Sequence, residues 1–313
     1  MVVFGPVPSR RLGQSLGINN IPAKHCSYAC VYCQVGRTTK MEIERRDFYP
    51  PSELLRSVEQ KLKETEKANV PVDFITFVTD GEPTLDVHLG ETLRALKTLG
   101  HKIAVISNAS LIWREDVREE LAQADWVSLK VDAVEESVWR KINRPHGKLS
   151  LAAILEGAQA FARSYPNELV TETMLIRDLN DGEANLNRVA EHLATLGPSK
   201  AYLSIPTRPP VESWVQPPDA PSLHHAYQIF NTYVEHPEYL IQYEGNDFAA
   251  TSDVEENLLS ILAVHPMRED AVSAFLKKAD APEALAEELV RRGALVKTVH
   301  QGQRFFLRRF CPK

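Results

Sequence analysis

Residues 25–33 read His-Cys-Ser-Tyr-Ala-Cys-Val-Tyr-Cys and hold three of the four cysteines in this chain of 313 residues. Cys26, Cys30 and Cys33 form a C-x3-C-x2-C spacing. Disulfide frameworks belong to short secreted chains and spread their cysteines along the sequence, which is not the pattern here. The segment therefore predicts a metal site.

Two kinds of metal site fit this spacing. Closely spaced loop cysteines hold iron–sulfur clusters, because thiolates are soft ligands. Three thiolates on a cubane leave the fourth iron available to a small molecule. Alternatively, His25 is a fourth ligand and the site is a Cys3His zinc site. The spacing favours the cluster, and the fourth cysteine, Cys311, is interpreted as a bystander thiol.

Strand-like and helix-like segments alternate along the first two thirds of the chain. The predicted strands are 15–20, 73–78, 102–106, 126–131, 169–176 and 201–205. The predicted helices are 52–66, 86–99, 114–123, 134–142, 150–164, 183–196 and 221–235. This alternation is typical of parallel β/α units with right-handed crossovers, so the fold class is α/β. An open doubly wound sheet fits it, but the motifs favour a partial (β/α)6 TIM-like barrel.

Near the C-terminus, the alternation of predicted strands and helices gives way to three helices followed by two short strands. This change predicts two domains. Residues 1–245 form the β/α domain, and residues 251–313 form a small winged-helix-like domain. The second domain is predicted to contain helices 252–264 (capped by Ser252), 268–278 and 283–292, then strands 294–300 and 304–308. From Arg291 to Lys313 there are seven basic residues and no Asp or Glu. Winged helices bind nucleic acids or dock proteins.

Composition narrows the class of protein. Hydrophobic residues make up 43% and charged residues 25%, as in ordinary globular proteins. The net charge of −6 gives no sign of nucleic-acid binding from bulk charge. No apolar run approaches the roughly 20 residues of a membrane span, and the N-terminus lacks a signal-peptide core. We expect a cytoplasmic protein with no membrane partner.

The cysteine motif, with the aromatic Tyr32 before its last cysteine, resembles that of the radical S-adenosylmethionine (SAM) superfamily. Residues 5–13 (GPVPSRRLG) and 80–85 (DGEPTL) are similar to one branch of it. That branch comprises short iron–sulfur oxidoreductases related to the radical SAM domain of the tRNA wyosine-synthesising enzymes. The resemblance covers roughly residues 3–245.

The resemblance implies an enzyme whose cysteines hold a [4Fe–4S] cluster that binds SAM. One electron breaks a C–S bond of SAM, and the resulting 5′-deoxyadenosyl radical abstracts hydrogen from a substrate. Gly81, Glu82 and Pro83 match the motif that receives the SAM amino group. The other implied cofactor contacts are Tyr32, Ser107, Asn108, Lys130, Asp132, Glu172 and Leu175. Arg10, Arg11 and Arg208 are candidates for holding an anionic group or the substrate.

Three functions remain open at this point. The first is an enzyme acting on an RNA base, which the wyosine-related resemblance and the basic tail suggest. The second is an enzyme acting on a protein or a small metabolite, with the winged-helix-like domain as a partner module. The third is a non-enzymatic iron–sulfur sensor that binds nucleic acid, and the SAM motifs argue against it. A reductant such as flavodoxin or ferredoxin is the expected partner of either enzyme.

Overall fold

The computed structural model describes two segments of the chain, residues 2–249 and 253–309. An eight-stranded sheet forms the centre of the first segment. The strands of this segment, which include two outside the large sheet, are β1 (Val3–Ser9), β2 (Gly13–Ile18), β3 (His25–Cys26), β4 (Lys40–Met41), β5 (Phe74–Phe77), β6 (Lys102–Ser107), β7 (Trp126–Lys130), β8 (Glu168–Met174), β9 (Lys200–Ser204) and β10 (Pro237–Leu240). Their order in the sheet is β1-β2-β5-β6-β7-β8-β9-β10, and β3 pairs separately with β4. β1 runs antiparallel to β2, and all the other pairs in the large sheet are parallel.

Helices connect the parallel strands. They are α1 (Pro51–Lys67), α2 (Leu89–Lys97), α3 (Glu115–Leu121), α4 (Glu136–Ile142), α5 (Leu151–Ser164), α6 (Glu183–Leu196) and α7 (Ala220–Tyr233). A short 3-10 helix, Pro83–Leu85, follows β5. In the described part of the chain, no helix is both long and apolar enough to cross a membrane.

Side chains on β8 show how the sheet separates two apolar clusters. Leu169 belongs to the large core that the sheet forms with the helices. The next residue, Val170, packs in a smaller cluster with Trp126 and Tyr202. Successive side chains of a strand point to opposite faces, so the second cluster lies on the face of the sheet opposite the large core.

The sheet has eight strands rather than the six predicted, and its class is as expected. The six predicted segments overlap β2 and β5 to β9. β1 was missed because Pro6 and Pro8 argue against a strand, although proline is tolerated on an edge strand. β10 has only four residues, the first of which is Pro237. The result is an α/β fold with a mostly parallel sheet, consistent with a partial barrel.

Residues 253–309 form a C-terminal module of three helices and a small sheet. The elements are α8 (Val254–Val264), β11 (Met267–Arg268), α9 (Glu269–Lys278), α10 (Ala284–Arg291), β12 (Leu295–His300) and β13 (Gln303–Arg308). The antiparallel sheet has the order β11-β13-β12. Asp253 caps α8 by accepting a hydrogen bond from the backbone N–H of Glu256 (2.9 Å). The predicted cap Ser252 and the bystander Cys311 lie outside the described residues.

The C-terminal module packs against β1. Phe4 and Val7 of β1 share an apolar cluster with Phe248, Leu258 and Phe275. The backbone N–H of Ala249 also donates to the carbonyl of Pro6 (3.1 Å). β1 therefore joins the large sheet to the core of the module.

Candidate active site

A cavity lies at the carboxyl ends of the parallel strands, where β/α barrels carry their chemistry. All three cysteines of the C-x3-C-x2-C motif line it. Six of the predicted cofactor contacts line it as well: Tyr32, Gly81, Ser107, Asn108, Lys130 and Glu172. The structure thus gathers nine of the thirteen predicted site residues around one space. Glu82, Pro83, Asp132 and Leu175 are not part of its wall.

The three cysteines are free and partly buried. Burial raises the pKa of each thiol, that of Cys30 to about 12, so a metal must supply the positive charge that makes them thiolates. The side-chain amide of Asn108 lies 3.5 Å from the sulfur of Cys26, and that of Asn143 lies 3.5 Å from the sulfur of Cys30. These donors would stabilise negative charge on the sulfurs. No sequence motif indicated that Asn143 belongs to this site.

The zinc alternative requires four ligands to converge on one ion. Within residues 2–249 and 253–309, no three His, Cys, Asp or Glu side chains converge closely enough to bind one metal ion. His25, the fourth zinc ligand under that alternative, places its Nδ1 atom 2.7 Å from Glu42 Oε1. A zinc ion draws its ligands to about 2.0–2.3 Å, whereas a cluster receives each thiolate on a different iron.

The loop after β5 presses against the cysteine loop. The backbone N–H of Glu82 donates to the carbonyl of His25 (3.2 Å). A Cβ atom on Gly81 would lie 1.8 Å from that same carbonyl oxygen. Only glycine fits at this position, and its backbone borders the cavity.

Glu82 ties two strand ends together behind the cavity wall. Its fully buried carboxylate accepts hydrogen bonds from the backbone and hydroxyl of Thr84 (3.1 and 2.7 Å), the Ser107 hydroxyl (2.8 Å) and the Asn108 backbone (2.7 Å). Burial raises the pKa of Glu82, and the bonds from Thr84, Asn108 and Ser107 offset part of that rise. The contacts observed for Glu82 are therefore with the protein itself.

Glu172 carries a largely buried charge on the same face of β8 as Val170, and it has two cationic partners. Lys130 Nζ lies 3.1 Å from its Oε1 atom, and Arg11 Nη1 lies 2.5 Å from its Oε2 atom. Burial alone would raise the pKa of Glu172, but the charges of Lys130 and Arg11 hold it well below its ordinary value. Burial would likewise lower the pKa of Lys130, but Asp132 and Glu172 outweigh it and raise that pKa. Both side chains are charged at neutral pH.

Asp132 and Leu175 lie behind the wall. The Asp132 carboxylate accepts hydrogen bonds from the Tyr32 hydroxyl (2.5 Å), the Asn143 amide (2.7 Å) and the Met174 backbone (2.8 Å). Leu175 is fully buried in the core on the helix side of the sheet. Asp132 therefore orients Tyr32 and Asn143 beside Cys30.

The C-terminal module also reaches the cavity. Val264 at the end of α8 lines it together with Arg208 from the loop after β9. Arg208 pairs with Glu244, and the Nε2 atom of His265 lies 2.7 Å from the same carboxylate. Residues of both parts of the chain thus border one site.

A sequence model of the radical SAM superfamily matches residues 20–188, which include all three clustered cysteines. The chain belongs to the radical SAM superfamily. Membership in this superfamily implies an enzyme that uses SAM and an iron–sulfur cluster. The cavity described above is lined by nine of the thirteen residues that the resemblance assigned to the cluster and to SAM.

The chain is also similar to individual proteins. The chain is 45% identical over 309 residues to the UPF0026 protein MJ1312 of Methanocaldococcus jannaschii, covering 98% of this chain and 96% of that protein. A radical SAM methyltransferase from Sphaerobacter thermophilus shares the fold, with a TM-score of 0.54 at 15% identity, covering 72% of this chain and 66% of that chain. A structure of TYW1 with a lysine–pyruvate adduct matches with a TM-score of 0.48 at 14% identity, covering 94% of this chain and 80% of that chain.

Proposed function

We propose that this protein is a radical SAM enzyme in which Cys26, Cys30 and Cys33 hold a [4Fe–4S] cluster and the adjoining cavity binds SAM. A cluster held by these three cysteines would supply one electron for cleavage of SAM to methionine and a 5′-deoxyadenosyl radical, and that radical would abstract hydrogen from the substrate. One observation carries the proposal: the three free thiols open onto the same cavity as the backbone of Gly81 and the side chain of Lys130.

The residues around the cavity have distinct roles in this proposal. Asn108 and Asn143 donate hydrogen bonds to cluster thiolates. Gly81 brings backbone groups close to the SAM amino group, and Glu82 holds that loop in place. Lys130 keeps its proton and offers a cation to the SAM carboxylate, while Glu172 fixes its position.

We propose that residues 253–309 are a winged-helix domain, since they run helix, strand, helix, helix, strand, strand. Two cations of its hairpin are already paired with carboxylates within the domain. Lys297 pairs with Glu269 and Glu287, and Arg304 pairs with Glu269 (3.2 Å). Paired cations are poorly available to phosphates, so we favour a small metabolite or a protein over an RNA base as the substrate.

The proposal is tested by anaerobic reconstitution with iron and sulfide, followed by reduction and addition of SAM. Formation of 5′-deoxyadenosine is expected with dithionite, and also with flavodoxin or ferredoxin as the electron donor. Cys30→Ala should abolish it, and Cys311→Ala, which alters the one cysteine outside the motif, should not. A fully loaded protein that forms no 5′-deoxyadenosine would favour the sensor function instead.

A further inference from the structure

The wall of the cavity is rich in positive charge. Five cationic side chains line it: Arg10, Arg11, Lys24, Lys130 and Arg208. Among the described residues, two carboxylates line it, those of Asp80 and Glu172. The excess of cations favours an anionic ligand.

Four of the five cations already face a carboxylate of the protein. Lys130 and Arg11 share Glu172, as described above, and Arg208 has its partner in the segment after β10. The pairs are Lys24 with Asp80 (2.5 Å), Arg11 (2.5 Å) and Lys130 (3.1 Å) with Glu172, and Arg208 with Glu244. Lys130 also lies 3.7 Å from Asp132. The four cations therefore face four carboxylates and contribute little unbalanced charge.

Arg10 differs from the other four. Its Nη1 atom donates to the backbone carbonyls of Leu240 (2.6 Å) and Gln242 (3.2 Å). Within residues 2–249 and 253–309, no carboxylate lies within ion-pair distance of it. Burial, and next the charge of Arg208, lower its pKa to about 10, which still leaves it protonated at neutral pH. The charges of Glu244 and Glu172 favour the protonated form of Arg10 from farther away. A partly buried guanidinium without a directly paired anion is costly unless a ligand supplies one.

Building on the proposed function, we propose that the substrate is a small molecule with a carboxylate or phosphate group, and that Arg10 binds this group. A guanidinium presents a planar fork of N–H donors that matches both kinds of oxyanion. The charge of Arg208 acts on the same end of the cavity. Val264 and His265 of the C-terminal module border this end, since Val264 lines the cavity and His265 Nε2 lies 3.1 Å from Arg208. The module therefore helps to enclose the anion.

Binding of two simple probes tests this inference on the reconstituted full-length protein. Inorganic phosphate and acetate are titrated by calorimetry at constant ionic strength, against wild type, Arg10→Gln and Arg10→Lys. We expect wild type to bind at least one probe and Arg10→Gln to bind it about tenfold or more weakly, because a charge-assisted hydrogen bond is lost. Arg10→Lys should bind at an intermediate level, and the preferred probe identifies the substrate as a phosphate ester or a carboxylic acid.

The matched control is Arg163→Gln, which alters an exposed arginine on α5 and should bind as wild type does. Circular dichroism of each variant shows whether it is folded, and the Lys variant keeps the test informative if the Gln variant is not. Equal binding by wild type and Arg10→Gln, or no binding of either probe to wild type, would overturn the inference. The titrations contain no SAM, so a failure here is distinct from a failure to form 5′-deoxyadenosine.

Discussion

Gly81 and His25 are in such close contact that a methyl group at Gly81 would lie 1.8 Å from the carbonyl oxygen of His25. This contact holds the loop after β5 against the loop that carries the cysteines. The two motifs lie more than fifty residues apart in sequence and form one wall of the cavity. Their dependence on each other can be tested directly.

Gly81→Ala should lower both stability and iron content. The added methyl group must displace backbone atoms, and overpacking of this kind costs about 1–3 kcal/mol or more of unfolding free energy. Thermal denaturation and iron analysis after reconstitution measure the two effects. Gly147→Ala is the control, because a Cβ there meets no atom within 4 Å. Wild-type iron content in Gly81→Ala would show that the two loops do not need this contact.

Glu82→Gln should destabilise the protein even before SAM is added. The amide nitrogen of glutamine would face N–H and O–H donors that now point at a carboxylate oxygen. We expect a loss of roughly 1–3 kcal/mol, as for other buried groups left without partners. Chemical denaturation of the variant and of the exposed control Glu66→Gln measures it. An unchanged unfolding free energy would contradict the structural role given to Glu82.

Glu172→Gln should cost stability in a pH-dependent way. The folded-state pKa of Glu172 lies well below the ordinary value of about 4.3, so its stabilising effect is present above that pH. The effect is lost as pH falls towards the folded-state value. We expect a loss of roughly 3–5 kcal/mol at pH 7, because Lys130 and Arg11 lose their shared anion.

Denaturant unfolding from pH 3 to pH 7 measures this difference between wild type and Glu172→Gln. The gap should narrow below about pH 4, where the unfolded state takes up the proton. Glu168→Gln, on the same strand but exposed, should show almost no gap at any pH. A gap that stays constant across this range would argue against an ionised Glu172.

Asn143→Ala should make the reduction potential of the cluster more negative. Its amide donates to the sulfur of Cys30, and hydrogen bonds to cluster sulfurs stabilise the more negative, reduced state. A redox titration followed by electron paramagnetic resonance measures the potential. Asn187→Ala, on the exposed surface of α6, is the control. A reduction potential equal to that of wild type would show that Asn143 does not donate a hydrogen bond to a cluster thiolate.

Sequence patterns predicted the strands of the sheet interior well, because most of them are short and largely apolar runs between helical segments, as in β5 and β6. The two edge strands of the sheet were not predicted. β1 contains Pro6 and Pro8, and β10 has only four residues. The spacing of apolar residues in a sequence indicates which residues are buried. An edge strand that contains prolines shows little of this spacing.

The candidate site was also predicted in part. The cysteines and Gly81 have spacing that a motif can capture, and all four line the cavity. Asn143 follows a helix with no motif around it, so its contact with Cys30 emerges only from the fold. In the described part of the chain, Arg10 has no carboxylate within ion-pair distance. This could not be predicted either, because it depends on which side chains the fold brings near it.

The most direct test of the central claim is the electron paramagnetic resonance spectrum of the reconstituted, reduced protein with and without SAM. We expect about four irons per chain, a reduced-cluster signal, and a change in that signal when SAM is added, since three cysteines leave one iron open to it. Cys30→Ala should lose the signal. Stoichiometric zinc without iron, or a loaded cluster whose signal is unchanged by SAM, would contradict the account.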